Sequence, residues 1–248
     1  MGFARQQLGL TLPALRTGDS RDPHALAEAL NAQLYTAAVR VGGGAVVGLP
    51  ALASGFAALD RATRLGGFPR GRITELIGRP TAGRATVAMR TVAAAGGFSA
   101  WVDVAGLVDV DALAAAGADL SRVFIIRPRR PLDALAMAAH LLAAGHFSTV
   151  VLDALSDLTP DGATAQAMAK FVRVVTPALG RHGTTAALIL SHPEHTYRPL
   201  AHAAALRIGF TRVGLIRPGG VFRGWRTRAR ILKSPGLQGG ELGIEVWL

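Results

Sequence analysis

Cysteine is absent from all 248 residues, which excludes a disulfide framework and any thiolate metal site. Lysine is nearly absent too: Lys170 and Lys233 are the two, and arginine supplies the rest of the 27 basic side chains. Against 16 acidic residues this leaves a formal net charge of +11. Aromatic residues are only 6% of the chain. No apolar run approaches the roughly 20 residues that a membrane helix needs. Met1 to Leu15 lacks the charged-then-apolar pattern of a secretory leader. The expectation is a soluble, cytoplasmic protein with no membrane partner. Half of the residues are hydrophobic, ample for one sizeable core and for one to two domains. The basic surplus points to a polyanion or an acidic protein as partner. GC-rich coding accounts for arginine over lysine, but not for where the charge sits.

Residues 1–21 form a loose lead-in. Asp22-Pro23 is a cap followed by proline in a first helical turn. Leu26, Leu30 and Leu34 then recur every four residues, the narrow apolar stripe of an amphipathic helix. Val39 to Leu49 turns β-like around Gly42-Gly43-Gly44. From Leu52 onward short apolar runs at 73–77, 100–104, 123–126, 148–152 and 185–190 read as strands. Helical patterns at 85–95, 111–117, 132–144 and 163–179 separate them. Alternation of this kind implies an α/β fold, a largely parallel sheet covered by helices on both faces. Residues 206–216, 221–232 and 242–248 read as antiparallel strands closing that sheet. The domain expectation is an N-terminal segment, 1–50, with a docking helix, and one core domain, 51–248. The sequence shows no internal repeat and no long low-complexity linker.

Residues 66–86 carry the most specific pattern. A Gly-Gly-Phe-Pro-Arg-Gly-Arg turn leads into the apolar run Ile73–Ile77, which enters a Gly-x4-Gly loop, Gly78 to Gly83, ahead of a helix. A working phosphate loop reads Gly-x4-Gly-Lys-Ser/Thr, with lysine on the phosphates and the hydroxyl on magnesium. Here Arg84 stands in the lysine position, Ala85 in the hydroxyl position, and Thr86 one residue late.

The ordered set Ser54-Gly55-Phe56-x2-Leu59-Asp60, the 66–72 turn, the 78–86 loop, Trp101-Val102-Asp103, Gly117-Ala118-Asp119-Leu120 and Val150-Val151-Leu152-Asp153 resembles the bacterial RecA recombinase family. The resemblance runs from about Leu52 to Leu248 and implies a RecA-like core. It also implies where that family's functional groups fall. The magnesium-associated Walker B aspartate falls on Asp153, the water-activating glutamate on Ala105, an adenine-stacking tyrosine near Ala112, and the γ-phosphate-sensing glutamine on His192. The mobile DNA-binding loop shrinks to about Glu194–Pro199, and the expectation is a chain without the family's separate C-terminal domain. Losses at five functional positions on one preserved frame imply a pseudo-ATPase. The subgroup it is most similar to is the ImuA type, RecA-like accessory proteins of damage-induced mutagenesis. That similarity implies an SOS-response adaptor for translesion synthesis with two partners: RecA and a Y-family polymerase homologue (ImuB-like). The alternative is a DNA-binding recombination ATPase with an unorthodox phosphate loop.

Gly78, Gly83, Arg84, Thr86 and Asp153 are therefore the vestigial nucleotide-site residues. No cofactor is expected, with weak ATP binding the most that such a loop supports. Arg is bulkier than Lys and donates as a planar fork, so Arg84 is no equivalent replacement. Asp103 and Asp153 end apolar strands, where α/β sheets bind ligands and where an aspartate also simply caps a loop. His192 and His195 are too sparse for zinc, so no metal is expected.

Nine basic residues and no acidic one lie between Arg198 and Lys233. Arg212, Arg223, Trp225, Arg226, Arg228, Arg230 and Lys233 form the candidate surface. Alternation puts Arg226, Arg228 and Arg230 on one strand face. Three occupants fit that face: nucleic-acid phosphates with Trp225 stacking on bases, an acidic protein, or solvent. A DNA-binding module that uses the basic sheet without nucleotide is thus a third function class. Leu26, Leu30 and Leu34 form the docking stripe, toward RecA, a second copy, or the chain's own core.

Overall fold

The computed structural model describes residues 50–154, 158, 161–195, 197–235 and 240–247. The helix expected at 22–38, with Leu26, Leu30 and Leu34, and the β-like run 39–49 lie outside them. An eight-stranded sheet organises the rest. Its strands are β3 (Arg72–Gly78), β4 (Ser99–Asp103), β5 (Val123–Ile126), β6 (Thr149–Asp153), β7 (Ala186–Ser191), β8 (Leu206–Ile216), β9 (Gly224–Lys233) and β10 (Gly240–Trp247). Their order is β10-β9-β8-β3-β7-β6-β4-β5. β1 (Ala51–Leu52) and β2 (Phe68–Pro69) form a separate two-stranded antiparallel pair.

The central strands are apolar on both faces because both are covered. Trp101, Val151, Leu188, Thr74 and Leu206 are register partners in one row across β4, β6, β7, β3 and β8, and all are buried. Helices Arg84–Ala94 and Val110–Ala115 cover that face, with Leu59 of the Ala57–Thr63 helix. Helices Pro131–Ala144, Gly162–His182 and Arg198–Ala203 cover the other, over Val102, Val150, Leu152 and Ile189.

β3 has β7 on one side and β8 on the other, so the chain reverses direction of winding there. The carboxyl ends of β3, β6 and β7 converge at that reversal, the place where open α/β sheets form a crevice. The turn before β3 fixes the opposite end. Gly71 has φ 68° and donates its N–H to Thr185 O at 2.8 Å. A Cβ there would meet the Gly183 Cα at 3.0 Å, so only glycine fits. The Arg70 guanidinium donates to Thr184 O at 2.6 Å and to Ser148 O at 3.3 Å. Thus the most distinctive turn of the sequence ties β3 to the loops before β6 and β7.

Two sequence expectations need correction. β8 is not simply one of a set of antiparallel closing strands: Leu206–Phe210 pairs parallel to β3, and only its partnership with β9 is antiparallel. The apolar run 206–210 is buried as a central strand is, and pairing sense leaves no local signature. Residues 194–199 are not simply a shortened loop. Arg198-Pro199 begins a short helix, with proline in its first turn, and Leu200 is buried beneath it.

Candidate functional site

The 78–83 loop leaves β3 and feeds the Arg84–Ala94 helix through Thr81 at φ 64° and Gly83 at φ 97°. Both loop glycines have packing reasons to be glycine. A Cβ on Gly78 would lie 3.1 Å from Phe210 O, and one on Gly83 would lie 3.0 Å from Thr227 Oγ1. Thr227, buried on β9, donates its hydroxyl to Ala82 O at 3.1 Å and so clasps the loop from behind.

Arg84 does not reach for solvent. Its side chain is 7% exposed, and Nη2 lies 3.7 Å from Asp153 Oδ1. The two residues that the resemblance assigns to phosphate and metal therefore face each other as an internal ion pair. Ala85 occupies the first turn with no oxygen to offer, and Thr86, half-buried, follows it.

Asp103 and Asp153 are register partners at the ends of β4 and β6. Asp103, fully buried, accepts from Leu107 N at 3.0 Å, Val108 N at 3.2 Å and Arg127 Nε at 3.3 Å. It organises the loop that carries Ala105, the exposed residue on which the resemblance places a glutamate. Asp103 is thus a loop-ordering residue. Ala112 packs, partly buried, beside the core. His192 follows β7 and accepts from Glu194 N at 3.3 Å, its ring 5.2 Å from that of His195. Among the described residues, no group of three or more His, Asp or Glu converges as a metal site would. No described helix is long and apolar enough to cross a membrane.

The basic strand face forms as the alternation requires. Arg226, Arg228 and Arg230 are exposed, while Thr227, Ala229 and Ile231 are buried. Arg212 and Arg223 are exposed as well. A groove of about 640 Å³ runs from the loop across β8 and β9, lined by Arg79, Arg212, Arg228 and Arg230 among others. Sequence reasoning did not single out Arg79, which pairs with Glu194 across the groove mouth. Nor did it find Thr227, although a threonine between two outward arginines must point inward, and that was a usable signal.

Two members of the expected surface behave differently. Trp225 has the parity of Thr227, so it lies on the opposite face from the three arginines. Its ring stacks near Phe222 at 6.5 Å, and its Nε1 is buried. Trp225 therefore cannot share a phosphate-facing surface with Arg226. Lys233 donates to Ala201 O at 3.3 Å and His202 O at 2.6 Å, holding the end of the Arg198–Ala203 helix. Burial, with Arg207 beside it, pulls its ammonium below the usual lysine range, and Glu75 opposes that. Glu75 is itself buried against Arg207, 2.5 Å from its Nε. In the β10–β9 register Glu245 pairs with Arg226, Gly243 with Arg228 and Glu241 with Arg230.

The model of the RecA N-terminal domain matches residues 25–234. The protein RecA of Corynebacterium efficiens is 32% identical over 259 residues, 90% of this chain and 66% of the relative. That of Acidothermus cellulolyticus is 30% identical over 238 residues, 85% of this chain and 69% of the relative. That of Rubrobacter xylanophilus is 30% identical over 223 residues, 79% and 65% respectively. The chain thus spans about two thirds of the length of these relatives. Together with the sheet order and the loop-to-helix crossing at β3, the match establishes that this chain belongs to the RecA family.

Proposed function

We propose that this chain is a non-catalytic RecA-like adaptor of the SOS response, supporting translesion synthesis by contacting RecA and a Y-family polymerase homologue. One observation carries the reading: the Arg84–Asp153 ion pair, 3.7 Å apart between the helix that follows the 78–83 loop and the end of β6. A magnesium-nucleotide needs Asp153 for the metal shell and a mobile cation for the phosphates, and here each engages the other. Ala85 and Ala105 remove the metal-side hydroxyl and the water-activating carboxylate. Phosphoryl transfer depends on positioning and charge stabilisation, and these residues supply neither. The glycines that would advertise a phosphate cradle are accounted for by Phe210 and Thr227. The residues present do not fit a magnesium-nucleotide, and no chemical step is assigned to it.

The second reading, a recombination ATPase with an unorthodox loop, draws on the relatives, which carry the name RecA. Nucleotide turnover separates the two. In either reading the groove face with Arg212 and Arg228 suits DNA phosphates.

Docking on RecA is assigned to the amphipathic segment with Leu26, Leu30 and Leu34. A subunit that docks without nucleotide-driven growth caps a filament end. Removing a buried leucine anchor costs roughly 2 kcal/mol or more at an interface. In co-sedimentation with RecA filaments at near-physiological salt, the wild type pellets and Leu30→Asp stays in the supernatant, with an unchanged melting temperature. Failure of the wild type to pellet, or equal pelleting by the variant, refutes the docking assignment.

A further inference from the structure

β8 outruns its parallel neighbour. Its pairing with β3 ends at Phe210 opposite Gly78, and from Thr211 to Ile216 its partner among the described residues is β9 alone. Among the described residues that stretch therefore presents one open strand edge. A bulge between Arg212 and Gly214 takes Val213 out of register, and its side chain is 50% exposed. Leu215 at 44%, Val221 at 54% and Phe222 at 44% complete an apolar tip around the Pro218–Gly220 turn. Arg212, Arg217 and Arg223 frame it, all exposed. An open, apolar strand edge is normally shielded by charge on the strand, by proline or by a covering element. Here Arg212 is the sole charge between Thr211 and Ile216.

We propose that this projecting hairpin tip is a docking surface for an extended, acidic, apolar segment of a protein partner, which adds to the open edge of β8. Three features choose that occupant. The edge offers alternating backbone N–H and C=O groups at peptide spacing, which another strand pairs as a ladder, whereas a nucleic acid takes only single N–H contacts through its phosphates. Val213, Leu215 and Val221 are aliphatic and offer no ring for a base, and the Phe222 ring already lies parallel to that of Trp225 at an interplanar angle of 13°. The three framing arginines, in a segment with no acid from Arg198 to Lys233, complement carboxylates. The inference deepens the adaptor reading and rests on it only for the existence of a protein partner; it does not depend on nucleotide turnover.

The test uses the full chain and three fluorescent probes at 150 mM salt: a 12-residue peptide alternating Val and Glu, its Val/Lys counterpart, and a 12-mer of oligo(dT). Fluorescence anisotropy reports binding, and size exclusion reports self-association. The acidic peptide binds, the basic peptide does not, and the double variant V213E/L215E weakens binding at least about tenfold, as loss of a central anchor does. The variant keeps its melting temperature, because both side chains are exposed; a second variant, Phe222→Ser, repeats the loss should the first fail to fold. Binding of oligo(dT) in place of the peptide makes the tip a nucleic-acid surface and overturns the proposal. So does a dimer that V213E/L215E dissolves, which makes the occupant a second copy. Peptide binding that survives both variants, or no binding at all, overturns it as well. ATP turnover, which refutes the non-catalytic reading, leaves every one of these results untouched.

Discussion

Arg84 and Asp153 illustrate how one residue changes the contacts made inside a preserved frame. A lysine in that position is a compact point charge on a flexible stem, whereas arginine carries a rigid fork that favours a fixed carboxylate. Here it lies against Asp153 with both side chains largely buried. Breaking a buried pair from one side leaves an uncompensated charge, at a cost of about 3 kcal/mol or more. Arg84→Met is accordingly expected to lower urea-unfolding stability by roughly that amount, and Asp153→Asn added to it to restore part of the loss. Additive losses in the double variant would contradict an internal pair. Gly83→Ala is expected to destabilise by about 1–3 kcal/mol, because a side chain is strained at φ 97° and crowds Thr227. The loop motif placed Arg84 and Ala85, and the resemblance Ala105, from the sequence alone. The direction of the Arg84 side chain was not, because nothing local to residues 78–86 says that the end of β6 will supply its counter-charge. Asp103 was legible as a strand-end aspartate, and its role as a loop organiser became visible only with the N–H groups of Leu107 and Val108 in place.

At the scale of elements, β9 shows what alternation predicts and what it leaves out. Period two placed Arg226, Arg228 and Arg230 on one exposed face, and the same rule puts Trp225 on the other. The acids opposite Arg226 and Arg230 come from β10, and register between strands is set by long-range pairing that a single strand's pattern does not reveal. The groove separates the three arginines measurably: Arg228 and Arg230 line it and Arg226 does not. Arg228→Ala and Arg230→Ala should each lower the log–log salt slope of DNA binding by about 0.7 to 0.9, the value of one lost phosphate contact. Arg226→Ala should lower it less. Equal effects at all three positions, or no change for Arg228→Ala and Arg230→Ala, would assign the face to a protein partner or to solvent. Lys233 belongs to the fold and not to that face: its ammonium holds the carbonyls of Ala201 and His202. Removing it should lower stability and leave the salt slope unchanged.

For the whole molecule, the alternation of apolar runs with helical patterns was enough to read an α/β sheet and, with the ordered motifs, the RecA family. What stayed hidden was the arrangement around β3. It takes a parallel neighbour on each side, and the β8–β9 hairpin, with β10 beside β9, runs on past the end of β3. That arrangement brings the loop, the groove and the projecting tip into one region of the molecule. The proposed interaction surfaces thus lie around the Arg84–Asp153 pair, the arrangement expected of the proposed non-catalytic subunit. The claim is tested most directly by a coupled ATPase assay of the purified protein with magnesium, in the presence and absence of single-stranded DNA. Turnover indistinguishable from the protein-free background in both conditions is the predicted result. DNA-stimulated hydrolysis that Asp153→Ala abolishes would contradict the account and restore the recombination ATPase reading.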